Sequence, residues 1–181
     1  FILVLLCGFI SSCSSTKPKQ KIKSTEYSIQ DETLEIARST STQDARQYEA
    51  IDREFRAKKY NEVLDKTRAF IKKYPQSQFL EQIYHLRSLS SIALEQFPNA
   101  VAQLKKTLEI ANARQSPNEQ LIAMVTYNLA FVYFELNQID EATSASDKVN
   151  DTALDSNNRA RLFILKAKLY RVSLEYVESM K

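Results

Sequence analysis

From Asp44 onward the apolar residues recur at spacings of three and four, the period of a helix with one buried face. Tyr48, Ile51 and Phe55 share one face of a first helix, and Lys58-Lys59-Tyr60-Asn61 reads as a turn. Val63, Leu64, Phe70 and Ile71 then line a second helix. It should stop at Tyr74-Pro75, because proline disfavours the α conformation in the residue before it. A second pair follows, with Phe79, Ile83, Leu86, Leu89 and Ile92 on its first helix and Ala100, Leu104, Leu108 and Ile110 on its second. The turn between them is Glu95-Gln96-Phe97-Pro98, with Pro98 suited to a first helical turn. Ser116-Pro117-Asn118-Glu119 predicts the next helix start as a capping box, with Ser116 as N-cap and Glu119 reaching back. A fourth helical stretch begins near Asp155 or Ser156.

These pairs hold a common register. In Leu129 to Ala142, the residues Leu129, Ala130, Tyr133, Asn137, Ile139 and Ala142 combine small residues with a turn-forming asparagine. The small or near-small position of each second helix falls at Val63, Ala100, Ala142 and Ser179, separated by 37, 42 and 37 residues. In the fourth unit, Ala167, Tyr170 and Tyr176 take the places of Ala130, Tyr133 and Ile139. The Leu129–Ala142 stretch resembles one tetratricopeptide (TPR) repeat, a helix-turn-helix of about 34 residues in which small residues let the two backbones approach. The resemblance covers residues 44–181 and implies an all-α, TPR-like solenoid of about three and a half repeats. The surplus length fits longer helices, notably around Leu104 to Arg114. A plain helical bundle is the alternative, but unrelated helical pairs have no reason to share a register.

Composition agrees with the helical reading. Gly occurs once, at Gly8, and Pro four times, far fewer than hairpin-rich β structure needs. An apolar share of 44% supports a real core. The formal charge of +3 is mild and mixed in sign, which excludes the concentrated basic face of a nucleic-acid binder.

The N-terminus reads as an address. Residues 1–10 are uncharged and apolar, too short for a spanning helix of roughly 20 residues but suited to a signal-peptide core. Ile10-Ser11-Ser12-Cys13 resembles a bacterial lipobox, which implies cleavage after residue 12 and lipidation of Cys13. The alternative is a free thiol behind an ordinary signal peptide, and Cys7 fails the lipobox pattern because Leu6 is bulky. Several acyl chains on one residue exceed what stable anchoring needs. Ser14 is not Asp, which by the enterobacterial sorting rule implies the outer membrane, periplasmic face. Residues 13–43, rich in Ser, Thr and Lys, predict a flexible tether carrying at most a short helix over Glu32 to Arg38.

No catalytic constellation stands out. His85 is the single histidine and is expected to face solvent or a groove rather than to act as a ligand or base. Beyond Gly8 no glycine remains for a phosphate-cradling loop. Neither cofactor, metal nor small-molecule substrate is expected. What remains is a surface. In TPR arrays the first helices line a concave groove, and carrying those positions over selects Tyr48, Phe55, His85, Leu89, Ile92, Tyr127, Phe131, Phe134, Lys168 and Arg171. Such a lining suits an extended or helical peptide with apolar anchors. The alternative is that these aromatics pack within and between the repeats.

Phe70-Ile71-Lys72-Lys73-Tyr74-Pro75-Gln76-Ser77 is similar to a stretch of TPR lipoproteins of outer-membrane β-barrel assembly and of cell-envelope coordination. The resemblance implies a lipid-anchored periplasmic scaffold that binds a protein partner in outer-membrane protein assembly or cell-wall synthesis, without catalysis. The other reading is the docking arm of a larger envelope enzyme, solute-binding protein or penicillin-binding-protein activator whose active domain lies beyond residue 181.

Overall fold

A computed structural model of the chain describes residues 43–179, with side chains through Leu174. The signal segment, Cys13, the tether and the short helix expected over Glu32 to Arg38 lie outside the described residues. Seven α-helices follow one another: α1 (Gln43–Arg56), α2 (Tyr60–Lys73), α3 (Leu80–Ala93), α4 (Phe97–Asn112), α5 (Glu119–Glu135), α6 (Ile139–Asp147) and α7 (Ser156–Ser179). A 3₁₀ turn over Asp151–Ala153 precedes α7, and no strand occurs among the described residues. Each helix packs mainly on the next, and the first helices also touch in two places, α1 on α3 and α5 on α7. The chain is an all-α solenoid of three helix-turn-helix units and one further half.

One turn is used three times. Lys58, Glu95 and Asn137 adopt left-handed φ angles of 59°, 57° and 56° at the ends of α1, α3 and α5. At each, the next N–H reaches back to close the helix: Lys59 N–H to Glu54 C=O at 3.0 Å, Gln96 N–H to Ser91 C=O at 2.8 Å, Gln138 N–H to Tyr133 C=O at 2.9 Å. A bond spanning fewer residues accompanies each one, from the N–H of the left-handed residue to the C=O of Phe55, Ile92 or Phe134. This is the Schellman pattern, which normally recruits glycine. With Gly8 the single glycine, the described turns use Lys, Glu and Asn, at a cost of about 1–2 kcal/mol per left-handed residue. The register survives because the same residues open the following helix. Lys59, Gln96 and Gln138 accept the first bonds of α2, α4 and α6, from Val63, Ala100 and Ala142.

Those three residues, five places after each left-handed position, are fully buried. Short side chains there let the second helix of each unit close on its first. In the middle unit the same need is met from the other side by Ser88, Ser90 and Ser91, all inaccessible on α3. Their hydroxyls stay satisfied: Ser88 donates to His85 C=O and Ser90 to Leu86 C=O, while Ser91 donates to Gln103 Oε1 on α4 at 3.0 Å. Buried polar groups cost free energy only when unpaired, so this layer is tolerated. It divides the interior in two, one apolar cluster around Tyr48, Phe70, Phe79, Ile83 and Leu86 and another from Ala100 through Leu169.

Two sequence expectations need correction. The third unit starts from Asn118, not Ser116: the Asn118 side chain accepts from Leu121 N–H at 3.0 Å, and α5 begins at Glu119. Pro117 therefore precedes the cap and is not the first helical residue. The fourth unit has no turn at the place its register predicts. Leu174 lies 37 residues after Asn137, yet α7 runs through it to Ser179, so Tyr176 and Ser179 belong to the same helix.

Candidate functional site

Threefold use of one turn aligns the first helices so that equivalent side chains form rows. One row is Tyr48, His85, Tyr127 and Ile164; the next is Asp52, Leu89, Phe131 and Lys168; the third is Phe55, Ile92, Phe134 and Arg171. Their burial separates core from surface. Tyr48, His85, Leu89 and Tyr127 are buried and are not available as groove residues. Tyr48 lies in the cluster with Phe70, Phe79, Ile83 and Leu86, and Tyr127 in the cluster that runs from Ala100 through Leu169. Tyr48 stacks on Phe79 with ring centroids 4.9 Å apart, and burial pushes its phenol well above the usual range. His85 is 2% exposed, and its Nε2 has no hydrogen-bond partner. Desolvation lowers its pKa from 6.5 to about 4, so it is neutral at physiological pH. The expectation of a solvated or groove-facing histidine is thereby overturned.

Six of the ten predicted residues remain accessible. Phe55, Ile92, Phe131 and Phe134 are half-buried, and Lys168 and Arg171 are exposed. Phe55 is held edge-on by Tyr60 at 5.8 Å, just past the first turn. The Lys168 ammonium lies 5.8 Å from the Phe134 ring centroid, a cation–π distance linking α7 to α5. The face thus offers apolar side chains fixed by their own repeats and two cations at one end. Asp52 adds a buried acid at the other end, its carboxylate taking a hydrogen bond from Arg56 Nε at 2.7 Å.

Two features escaped the sequence reading. Glu81, in the first turn of α3, is buried and ion-paired with Arg114 from the α4–α5 loop. Arg114 also donates to Gln78 C=O at 3.1 Å, so one guanidinium ties the end of the second unit back to its start. Burial raises the Glu81 pKa, and Arg114 works against that rise. The second feature is an open cleft of about 630 Å³ between α4, α5 and α6, with Leu108, Ile122 and Leu129 among its lining and Lys105 and Lys148 beside them. It exists because α6 has nine residues where α4 has sixteen. A sequence signal for it was the early run Asp147-Lys148-Val149-Asn150-Asp151, which is poor in helix-continuing residues.

Among the described residues no group of three or more His, Cys, Asp or Glu could hold a metal ion, and no helix is long and apolar enough to cross a membrane. In comparisons with known proteins, no family model and no curated relative matches the chain.

Proposed function

We propose that the chain is a TPR-type lipoprotein scaffold, anchored through Cys13 at the periplasmic face of the outer membrane. Its first-helix face binds a protein partner of an envelope machine, either outer-membrane protein assembly or cell-wall synthesis, and it performs no catalysis. The observation that carries this reading is the face made by two adjacent rows, on which Phe55, Ile92, Phe131 and Phe134 are half-buried and Lys168 and Arg171 are exposed. A peptide with apolar side chains at helical or extended spacing and an acidic end would complement that face, the apolar part supplying affinity and the charges fixing direction. The 37- and 42-residue recurrence supports the repeat class, and Ile10-Ser11-Ser12-Cys13 supports the anchor.

The anchor has a direct test. Cells fed a clickable palmitate analogue should label this chain, and Cys13→Ala should remove essentially all of the label. Globomycin should leave the uncleaved form to accumulate. Labelling that persists in Cys13→Ala would sink the anchor and the localisation built on it.

A further inference from the structure

The exposed large hydrophobic side chains among the described residues are all on α7: Phe163 at 53%, Ile164 at 57%, Tyr170 at 68% and Leu174 at 47%. With 3.6 residues per turn they fall, together with exposed Ala160 and Ala167, within an arc of about 120°. Buried Leu162, Leu165 and Leu169 occupy the opposite side and dock the helix on its repeats. Charge is arranged around that arc. Arg161 and Lys168 flank it on one side, Arg159 and Lys166 on the other, and Arg171 stands within it. No acid occurs from Ser156 to Leu174; Asp155 precedes the block and Glu175 follows it in sequence. Arg159 donates to the carbonyls of Asp151, Thr152 and Leu154, which leaves its charge uncancelled. Lys166 pairs with Asp147 at 3.3 Å, and water reaches both side chains, so that pair is weak.

We propose that this face of α7 lies in the headgroup layer of an anionic phospholipid bilayer, parallel to its plane. A contact between proteins depletes charge at its centre and meets cations with acids at fixed positions. Here apolar side chains sit between two basic flanks, the pattern of a helix that lies in a lipid interface. Phe163, Ile164 and Leu174 enter the upper acyl layer, and the phenol of Tyr170 stays at headgroup level. The long stems of Lys and Arg run alongside them and carry the charge back to the phosphates. Each cation close to an anionic surface multiplies partitioning about fivefold, and the effect fades within a Debye length. Lys168 lies beside Phe134, so there the lipid-facing stripe borders the partner face. The contact goes beyond an anchor on Cys13: it needs no acyl chain, and it fixes which side of the repeats faces lipid.

The full chain with Cys7→Ser, Cys13→Ser and Ala167→Cys, carrying an environment-sensitive dye at position 167, reads the contact locally. With Cys13 replaced, the result is independent of the palmitate experiment. On vesicles of phosphatidylcholine with about one-third phosphatidylglycerol, the dye should shift to the blue and be quenched by nitroxide-bearing acyl chains. Salt at about 1 M should reverse most of the change. Lys168→Gln with Arg171→Gln should lower the ratio of bound to free dye about 25-fold, with the circular dichroism unchanged. The same dye at Glu109→Cys, on α4, should stay in water even if residues 1–10 enter the bilayer. A dye at position 167 that stays in water on the anionic vesicles overturns the proposal and gives the stripe to a protein. An equal response on phosphatidylcholine alone, or at position 109, overturns it as well.

Discussion

Arg114→Ala should lower the stability of the repeat domain by about 3 kcal/mol near neutral pH, measured by urea unfolding followed by circular dichroism. The Glu81 side chain is 3% exposed and Arg114 is its ion-pair partner. Removing the arginine leaves a carboxylate in a site from which water is excluded, the situation in which breaking a buried pair costs 3–5 kcal/mol. The low end applies because the Arg114 side chain is itself 39% exposed. A proton on Glu81 relieves the penalty, and burial already raises its pKa. The loss should therefore shrink as the pH falls, and Glu81→Gln in the Arg114→Ala background should recover most of it. A loss below 1 kcal/mol would mean that solvent reaches the pair and that the loop does not brace the second unit.

The second large effect is acid destabilisation through His85. Its pKa of about 4 in the folded chain, against 6.5 unperturbed, follows from desolvation alone. Between those values the unfolded chain binds a proton that the folded chain refuses, so stability falls as the pH drops through this window. Above pH 6.5 the full stability is present; by about pH 4 the interval amounts to roughly 3 kcal/mol. Glu81 runs the other way, because a carboxyl with a raised pKa favours the folded state as it takes up a proton. His85→Gln has no imidazole to titrate, so subtracting its stability profile from that of the wild type isolates the histidine. As His85 is the single histidine, its ring proton resonance also reports the pKa without assignment. A midpoint near 6.5 would place the ring in water and contradict its burial on α3.

What the sequence made legible was the repeat register. Val63, Ala100 and Ala142, picked out by size and spacing, are the buried residues five places after three left-handed turns. The fourth unit was not legible. Residues 171–175 contain no Gly, Asn or Pro, but the equivalent residues 55–59 and 92–96 contain none either and still turn at Lys58 and Glu95. Residue type matched at Ala167 and Tyr170, and no local pattern marks whether the turn follows. Ser116 lost the cap to Asn118 for a similar reason: both can accept from a helix N–H, and the sequence does not say which one the Pro117 backbone will present.

The candidate face was half legible. Periodicity places Tyr48, His85 and Tyr127 on the same side of the first helices as Phe55, Ile92 and Phe134. Which of them meet solvent depends on how closely neighbouring first helices approach, a distance set by contacts far apart in sequence. The Glu81–Arg114 pair lies 33 residues apart and carries no local pattern, so only the folded chain brings it into view.

The central claim is that the first-helix face is where a partner binds. Its most direct test is photo-crosslinking in cells, with benzoyl-phenylalanine placed in turn at Phe131, at Phe134 and, as a control on the second-helix side, at exposed Glu109. The account predicts a discrete adduct to one other envelope protein from positions 131 and 134, distinguished by mass spectrometry from a second copy of this chain, and none from position 109. No adduct from either phenylalanine, or the same adducts from Glu109, would contradict it.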